Sequence, residues 1–248
     1  MKNKMLIVSA ISAFSVSAIA GTMGDAADTY SVVMTLSGGP AWYSEGQSQT
    51  VQLGPDTIKR YSPNSKTHAT GTGELFLGLS SPITPQWIGQ LGLALAYTGT
   101  GKLQGDIWED ADPAFNNYYY NYKLSSTRVA VKAKLIANMD YFVQPYMSGS
   151  AGVGINSSRS FTITPKIFPE VAAPPFRNHT NTSFSYTAGV GLQAPVNEQW
   201  VVGVGYEFAD TGKSSLNSAQ AQQTANSVQL SHFYTNELQF SITYSCNL

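Results

Sequence analysis

Strict alternation of apolar with small or polar residues recurs along most of this chain. The clearest case places Trp200, Val202 and Val204 on one face of an extended segment, with Gly203 and Gly205 on the other. Because successive side chains of a β-strand point to opposite faces, a period of two predicts strands. The alternation therefore predicts an all-β protein.

The composition of the two faces indicates which kind of β-protein to expect. Only 12% of the 248 residues are charged, whereas about 25% is usual for a soluble domain. The faces opposite the apolar ones carry mostly Gly, Ser, Thr and Gln, and the chain has 22 glycines. An apolar exterior around a narrow polar interior is typical of a transmembrane β-barrel, which must close because lipid cannot satisfy a free sheet edge.

Hydropathy and charge exclude two other classes. No apolar run reaches the roughly 18 residues of a transmembrane helix, which excludes a helical membrane protein. The 14 Lys and Arg residues against 15 Asp and Glu give a net charge of −1, so we expect no nucleic-acid partner. The only cysteine, Cys246, cannot form an internal disulfide, and we expect neither a metal site nor a cofactor.

Eight segments carry the alternation, and the connections between them differ in length. The segments are 31–43, 67–79, 87–98, 118–135, 141–155, 182–193, 200–209 and 229–245. The connections after the second, fourth and sixth segments are short, and the other four are about 18–26 residues long. This asymmetry predicts an antiparallel up-and-down barrel of eight strands with short periplasmic turns and four long extracellular loops. A soluble eight-stranded barrel, which does not require the asymmetry, is the alternative.

The N-terminus indicates export. Two lysines precede the apolar stretch 5–20, which ends in the small-x-small tripeptide Ala18-Ile19-Ala20 that a signal peptidase reads. We therefore expect residues 1–20 to be a cleaved signal peptide and residues 21–248 to form a single outer-membrane barrel domain.

Isolated charges fall on the inward-facing positions of the predicted strands. By parity these are Glu74, Glu207 and Glu237, joined by Arg128, Lys132 and Lys134 if the fourth strand has no bulge. Unpaired charges inside an eight-stranded barrel are costly, so we expect them to pair across the lumen. A packed polar plug is the favoured interpretation, and a switchable ion gate is the alternative.

Aromatic residues are placed where membrane interfaces would lie. Those predicted to form interface girdles are Trp42, Trp87, Tyr97, Trp200, Tyr206, Phe208 and Tyr244. The tyrosines at 118–122 are expected to add a collar at the outer leaflet, with a partner-binding surface as the alternative. Apolar residues beside the prolines of 165–169 and 172–176, and Ile107-Trp108, are expected to be exposed, and 214–223 is expected to be a flexible loop.

Three segments carry a resemblance to a known family. The opening Gly38-Gly39-Pro40-Ala41-Trp42, the glycine-rich 143–154 and the strand 202–208 resemble the opacity-type, OmpA-like superfamily of eight-stranded β-barrels. The resemblance spans the mature chain, although its motifs are mostly alternation and glycines. It implies an outer-membrane surface protein of a Gram-negative bacterium whose barrel is an anchor and whose loops serve adhesion, immune exposure or resistance. It also implies that the interior Glu, Arg and Lys side chains act as a plug.

One feature departs from the family pattern. Outer-membrane strands usually close on a terminal aromatic residue that the assembly machinery recognises, whereas this chain ends on Leu248. Either insertion is less efficient or the signal is read from Tyr244.

These observations predict a monomeric, non-enzymatic surface antigen, adhesin-like protein or structural envelope protein. The expected partners are outer-membrane lipid and lipopolysaccharide, the assembly machinery, and a host or surface ligand at the loops. A narrow gated pore for ions or small solutes is the first alternative.

A lipid-modifying enzyme is the second alternative, and it would need His68 or His232 near a hydroxyl and an acid. His179, in the third loop, is expected to be a surface residue. The acidic loop 109–112 is expected to be solvated, with weak binding of a divalent cation as the alternative.

Overall fold

The computed structural model describes residues 30–44, 46–64, 67–139, 141–167, 173–220 and 222–247. The predicted signal peptide, Phe168 and Leu248 lie outside these residues. Within them, no α-helix has the length and apolarity needed to span a membrane.

The described chain is built of antiparallel strands and one turn of 3₁₀ helix over Pro113–Phe115. The strands are β1 (Ser31–Ser44), β2 (Gln49–Gly54), β3 (Thr57–Pro63), β4 (Thr67–Thr84), β5 (Trp87–Glu109), β6 (Asn116–Ala137), β7 (Gln144–Pro165), β8 (His179–Pro195), β9 (Trp200–Asp210), β10 (Ser214–Ser215), β11 (Gln229–Leu230) and β12 (Tyr234–Asn247).

Eight of these strands form a closed ring, which confirms the predicted barrel. The order around the ring is β1, β4, β5, β6, β7, β8, β9 and β12, and β12 pairs back onto β1 from Ser31↔Asn247 to Tyr43↔Thr235. Short turns join β4 to β5, β6 to β7 and β8 to β9. The first and last described strands also meet at this short-turn end, as the alternation of connection lengths predicts.

Two strands extend much farther towards the long-loop end than predicted, because β5 continues to Glu109 and β7 continues to Pro165. β6 begins at Asn116, two residues before its predicted start. Most of the predicted loop 99–117 and about half of the predicted loop 156–181 are therefore strand. The last strand is shorter than predicted, because 229–230 pairs with β10 and β12 begins only at Tyr234.

Two β-bulges divide the ring into two parts. One lies in β5 between Thr98 and Gly101, and the other lies in β7, where Ser160 has a φ of 57°. Each bulge adds a residue to one strand, so the side chains beyond it exchange faces. The head denotes the part on the long-loop side of these bulges, including β2, β3, β10, β11 and the segments 173–178 and 211–233. The barrel half denotes the rest of the ring.

Inside the head lies a core of apolar and aromatic side chains. It consists of Tyr43, Val51, Tyr61, Leu103, Ile107, Tyr118, Tyr120, Tyr122, Leu124, Phe161, Phe176, Leu216, Val228, Leu230 and Phe233. Hydrophobic burial is the main force that holds such a core together.

This head core corrects several expectations. Tyr118, Tyr120 and Tyr122 do not form an outer collar, because they point inward with the same parity as Arg128, and only Tyr119 is exposed among the four at 118–122. Ile107 and Phe176 are likewise buried rather than exposed. The predicted flexible loop 214–223 contains β10 and the buried Leu216, so much of it packs against the core.

The edge of β2 is covered by the last connection of the chain. The side-chain amide of Gln49 both donates to the carbonyl oxygen of Gln229 at 2.9 Å and accepts from its backbone N–H at 3.0 Å. The carbonyl oxygen of Gln52 accepts from Asn226 and from the Thr224 hydroxyl. These hydrogen bonds cover β2, which would otherwise be an open edge of the sheet.

Candidate functional site

The structure brings the predicted interior charges together in the barrel half. β6 pairs with β5 through this region without a bulge, so Arg128 and Lys132 point inward as the conditional prediction required. The lumen cluster comprises Glu74, Arg128, Lys132, Glu207 and Glu237, and all five side chains are buried.

Glu237 is the most enclosed member of the lumen cluster. Its carboxylate accepts hydrogen bonds from Arg128 Nη1 at 3.4 Å, Thr235 at 2.8 Å, Thr72 at 3.2 Å and Gln239 at 2.9 Å. Four donors around one carboxylate compensate for the loss of water that burial imposes.

The two cations of the cluster join all three carboxylates. Arg128 Nη2 lies 3.1 Å from Glu207 and 3.9 Å from Glu74. Lys132 Nζ lies 2.5 Å from Glu74 and 2.6 Å from Glu207. Removal of one member would unbalance the buried charge of the others, so the cluster behaves as a unit.

Lys134 belongs to the same layer but makes different contacts. Its Nζ donates to Gln193 Oε1 at 2.6 Å and lies 4.0 Å from the ring centroid of Tyr146. With Lys134 included, three cations face three carboxylates. Lys132, Lys134, Glu74 and Tyr146 also line a cavity of about 40 Å³, enough for a few water molecules.

The head core lies inside the ring on the long-loop side of this polar layer. Phe161 is central to it, with ring centroids 5.0 Å from Phe176, 5.9 Å from Tyr120 and 6.1 Å from Tyr122. Tyr61 packs edge-on against Tyr120 at 5.5 Å, and burial raises the pKa of its hydroxyl above the ordinary value of 10.0. An ion crossing the barrel would have to pass both the charged layer and this aromatic layer.

Ion pairs stabilise the outer end of the head. Lys59 Nζ lies 3.1 Å from Glu109, which also accepts from Asn117 at 2.9 Å. Burial pushes the pKa of Glu109 up, but the Asn117 hydrogen bond and the Lys59 charge outweigh it and hold the pKa below its ordinary value. The predicted acidic loop is thus a tight turn in which Asp110 and Ala111 adopt positive φ and Asp112 caps the 3₁₀ turn.

The three histidines lie in separate places. His68 stacks on Tyr43 with centroids 5.9 Å apart, and His179 begins β8. His232 Nδ1 lies 2.7 Å from the buried carboxylate of Asp210, and its ring stacks on Tyr234. Among the residues that the structure describes, Asp210 is the only hydrogen-bond partner of His232, so no hydroxyl completes an acid–histidine–hydroxyl arrangement.

Within the described ranges, no group of three or more His, Cys, Asp or Glu side chains could hold a metal ion.

The aromatic residues predicted to form girdles all point outward. Trp87, Trp200 and Tyr244 lie at the short-turn end, where Trp200 and Tyr244 are in ring contact at 5.0 Å. Trp42, Tyr97, Tyr206 and Phe208 lie nearer the head. Between the two levels, the exposed outer surface is dominated by Leu, Val, Ile and Phe side chains.

Sequence reasoning missed the side chains that hold the charged groups. Thr72, Thr235 and Gln239 were not singled out, although all share the inward parity of the charges. Asp210 was also missed, yet it begins an Asp-Thr-Gly turn in which its carboxylate accepts from the N–H of Gly212 at 2.8 Å. Such a turn was recognisable from the sequence alone.

Comparison with known proteins identifies a family match over almost the whole chain. The family described as "Outer membrane protein beta-barrel domain" matches residues 6–245. No curated protein matches.

Solved structures with similar folds come from several bacteria. Neisserial surface protein A is 13% identical and covers 87% of this chain and 96% of its own, with a TM-score of 0.43. Ail, the attachment invasion locus protein of Yersinia pestis, is 11% identical and covers 88% and 99%, with a TM-score of 0.35. The outer membrane protease OmpT from Escherichia coli is 10% identical and covers 91% and 99%, with a TM-score of 0.43.

Proposed function

Because the chain belongs to the outer membrane protein β-barrel family and so resides in the outer membrane of a Gram-negative bacterium, we propose that it is a closed, non-enzymatic anchor that carries a packed head at the cell surface. The observation that carries the proposal is the double filling of the barrel interior. The lumen cluster fills the barrel half, and the head core fills the interior above it.

The length of the strands supports display of the head outside the membrane. A membrane-spanning strand needs about 9–11 residues, whereas β5 has 23 and β6 and β7 have 22 each. Roughly half of each strand therefore extends beyond the bilayer. A head built on continuous strands holds its outer surface in a fixed position, which suits contact with a host or surface ligand.

The proposal includes the maturation of the chain. Residues 1–20 act as a signal peptide that is removed on export, and the barrel inserts through the outer-membrane assembly machinery as a monomer. Each ring strand pairs with two neighbours, so the ring has no free edge strand and the barrel half needs no second copy to close its sheet.

Single-channel recording in planar bilayers tests whether the lumen is closed. We expect no conductance steps from the refolded wild-type protein or from Glu74→Gln, because the head core still blocks the interior above the altered layer. Val129→Ala, a lipid-facing change beside Arg128, is the matched control. Heat-modifiable gel migration verifies that each variant is folded.

A conducting protein would overturn the proposal. Steady or gated current in the wild type that changes with Glu74→Gln but not with Val129→Ala would make the lumen a pore. Silence in all three folded proteins supports the closed anchor.

A further inference from the structure

Lys134 is the cation of the lumen that contacts no carboxylate. Its Nζ donates to Gln193 Oε1 at 2.6 Å and lies 4.0 Å from the ring centroid of Tyr146. Within the part of the chain that the structure describes, no Asp or Glu side chain forms an ion pair with it, whereas Arg128 and Lys132 each contact at least two. An ammonium group has three N–H donors, so Lys134 retains donors for a further carboxylate.

A second group without a partner lies beside Lys134. Gln90 on β5 is directly opposite Lys134 on β6, and both side chains have the inward parity of their strands. The side-chain oxygen of Gln90 is buried and accepts no hydrogen bond from the described residues. Because a buried acceptor without a donor is costly, the pair favours a ligand that brings both a carboxylate and an N–H group. An acidic peptide segment has both.

This pair lies in a part of the lumen that has free space. The periplasmic vestibule denotes the lumen on the short-turn side of the lumen cluster, lined by Gln90, Lys134, Tyr146, Ser148, Gly205 and Ser241. Lys134 is three residues from the end of β6, and Gln90 is three residues from the start of β5. Lys134, Gly205 and Ser241 border the cavity of about 40 Å³, and a carboxylate group is similar in size to the few water molecules that such a space holds.

The chain itself brings an acidic segment to the same end of the barrel. β1 begins at Ser31 beside the short turns, and residues 21–29 precede the first described residue, Tyr30. This segment contains Asp25 and Asp28 and no basic side chain. After the proposed cleavage behind Ala20, it is the N-terminus of the exported protein.

Lys134 is within reach of this segment. Lys134 and Ser31 belong to one register row that runs across β6, β5, β4 and β1, so they are about 14 Å apart along the wall at normal strand spacing. Extended chain from Ser31 spans about 10 Å to Asp28 and about 20 Å to Asp25. A carboxylate tethered at this range has a millimolar effective concentration, which favours it over free anions at lower concentration.

We propose that residues 21–29 of the exported chain enter the periplasmic vestibule, where Asp25 or Asp28 pairs with Lys134. The carboxylate accepts from the remaining donors of Lys134, and a backbone N–H of the segment donates to Gln90. The segment then closes the lumen at its periplasmic end, in addition to the lumen cluster and the head core. This inference rests on the proposed cleavage of the signal peptide, and it does not depend on whether the wild-type lumen conducts.

Zero-length cross-linking of the exported protein, purified from outer membranes, tests the pairing. A water-soluble carbodiimide joins a carboxylate to an amine only where the two groups are in contact, and mass spectrometry identifies the joined peptides. We expect a link between residues 21–29 and Lys134 in the wild type. The link should fall at least tenfold in Asp25→Asn/Asp28→Asn.

Two controls accompany the cross-linking. The Lys59–Glu109 ion pair of the head, at 3.1 Å, reports that the reagent has acted and should link equally in every variant. Glu198→Gln removes an exposed acid from the turn between β8 and β9 at the same end of the barrel. We expect this variant to change the Lys134 link less than twofold.

Four results would overturn the inference. Absence of the Lys134 link in a wild type whose Lys59–Glu109 link forms would show that the segment lies elsewhere, and an equally strong link from Glu198 to Lys134 would show that any nearby acid reaches it. Loss of the Lys134 link alone in millimolar sulfate would show that a free anion takes the site. Links between isotopically light and heavy chains would assign the carboxylate to a second copy. An intact mass that retains residues 1–20 would instead contradict the proposed cleavage, and it is measured before cross-linking.

Discussion

The barrel half and the head are built from the same strands with opposite polarity. In the barrel half, β5 directs Leu93 and Leu95 outward and Ala96 inward. In the head, the same strand directs Lys102 outward and Leu103 inward. The surroundings explain the exchange, because lipid favours an apolar exterior whereas water favours an apolar core. One added residue at a bulge converts one arrangement into the other without ending the strand.

The two regions are therefore stabilised by different interactions. The barrel half has a polar interior, in which each charge must be paired because the surroundings exclude water. The head is held by hydrophobic burial and close packing, as in a water-soluble domain. Substitutions of matched kind in the two regions should consequently differ in their effect on the free energy of unfolding.

The largest effect is expected from Arg128→Met in the lumen cluster. The change removes the cation that contacts Glu237 and one of the two cations that contact Glu207, so Glu237 keeps only neutral hydrogen-bond donors and the buried carboxylates outnumber the cations paired with them. We expect the free energy of unfolding to fall by about 3–5 kcal/mol, measured by urea unfolding in lipid vesicles. The double variant Arg128→Met/Glu237→Gln removes one orphaned charge and should recover part of that loss. Failure of the second change to recover any stability would contradict the interpretation of the cluster as a paired unit.

A smaller effect is the expected difference in the loss of unfolding free energy when either of two phenylalanines in different surroundings is replaced by alanine. Phe161 is 5% exposed within the head core, whereas Phe240 is 58% exposed on the lipid-facing surface of β12. Phe161→Ala should destabilise by about 3–5 kcal/mol, because it leaves a cavity as well as losing burial. Phe240→Ala should cost about 2 kcal/mol, since lipid chains fill the space and only the transfer free energy is lost. Equal losses in urea unfolding would show that the head is not packed like a soluble core.

The alternation of inward and outward positions along each strand was the most informative signal in the sequence. It applied to more residues than the interior charges alone. The same alternation that placed Arg128 and Lys132 inward also assigns Tyr118, Tyr120 and Tyr122 to the inner face, since β6 has no bulge between Tyr118 and Lys132. The collar interpretation failed because it treated the tyrosines as a membrane feature rather than as members of that face. The eight strands and the short turns at one end were predictable because lipid exposure imposes a strong pattern, whereas the lengths of the connections at the other end were not.

The rest of the head was not predictable from alternation. The bulge in β7 is formed by Ser160, whose φ is positive. A glycine at this position would have indicated a positive φ in the sequence, but a serine does not. Beyond the bulges in β5 and β7, the apolar residues move to the other face of each strand. A search for uninterrupted alternation therefore ends at the bulge, and the rest of the strand resembles a loop. The pairing of Lys102 with Lys123 and of Lys123 with Arg159 on three adjacent strands depends on their register, which long-range contacts set rather than local sequence.

The smallest effect is expected from pH at the outer end of the head, where water reaches the ion pairs. The pKa of Glu109 in the folded protein lies below its ordinary value of 4.5, and burial opposes this shift while Asn117 and Lys59 cause it. A carboxyl group with a lowered pKa stabilises the folded state above its unfolded-state pKa, and the contribution disappears as pH falls through the folded-state pKa. Because 32% of the Glu109 side chain is exposed, solvent screening keeps the contribution below about 1 kcal/mol.

Comparison of wild type with Glu109→Gln at pH 6.5 and pH 3 measures that contribution. The wild type should be slightly more stable at pH 6.5, and the difference should be smaller at pH 3, because the contribution disappears as pH falls through the folded-state pKa of Glu109. Added salt should also reduce the difference at pH 6.5, because the Lys59–Glu109 pair lies in water. A difference that persists unchanged at pH 3 would not come from the charge of Glu109. It would also not come from the hydrogen bond that Asn117 donates, because a glutamine at position 109 can still accept it. The stabilisation would then come from packing, and the outer end of the head would resemble its core rather than its surface.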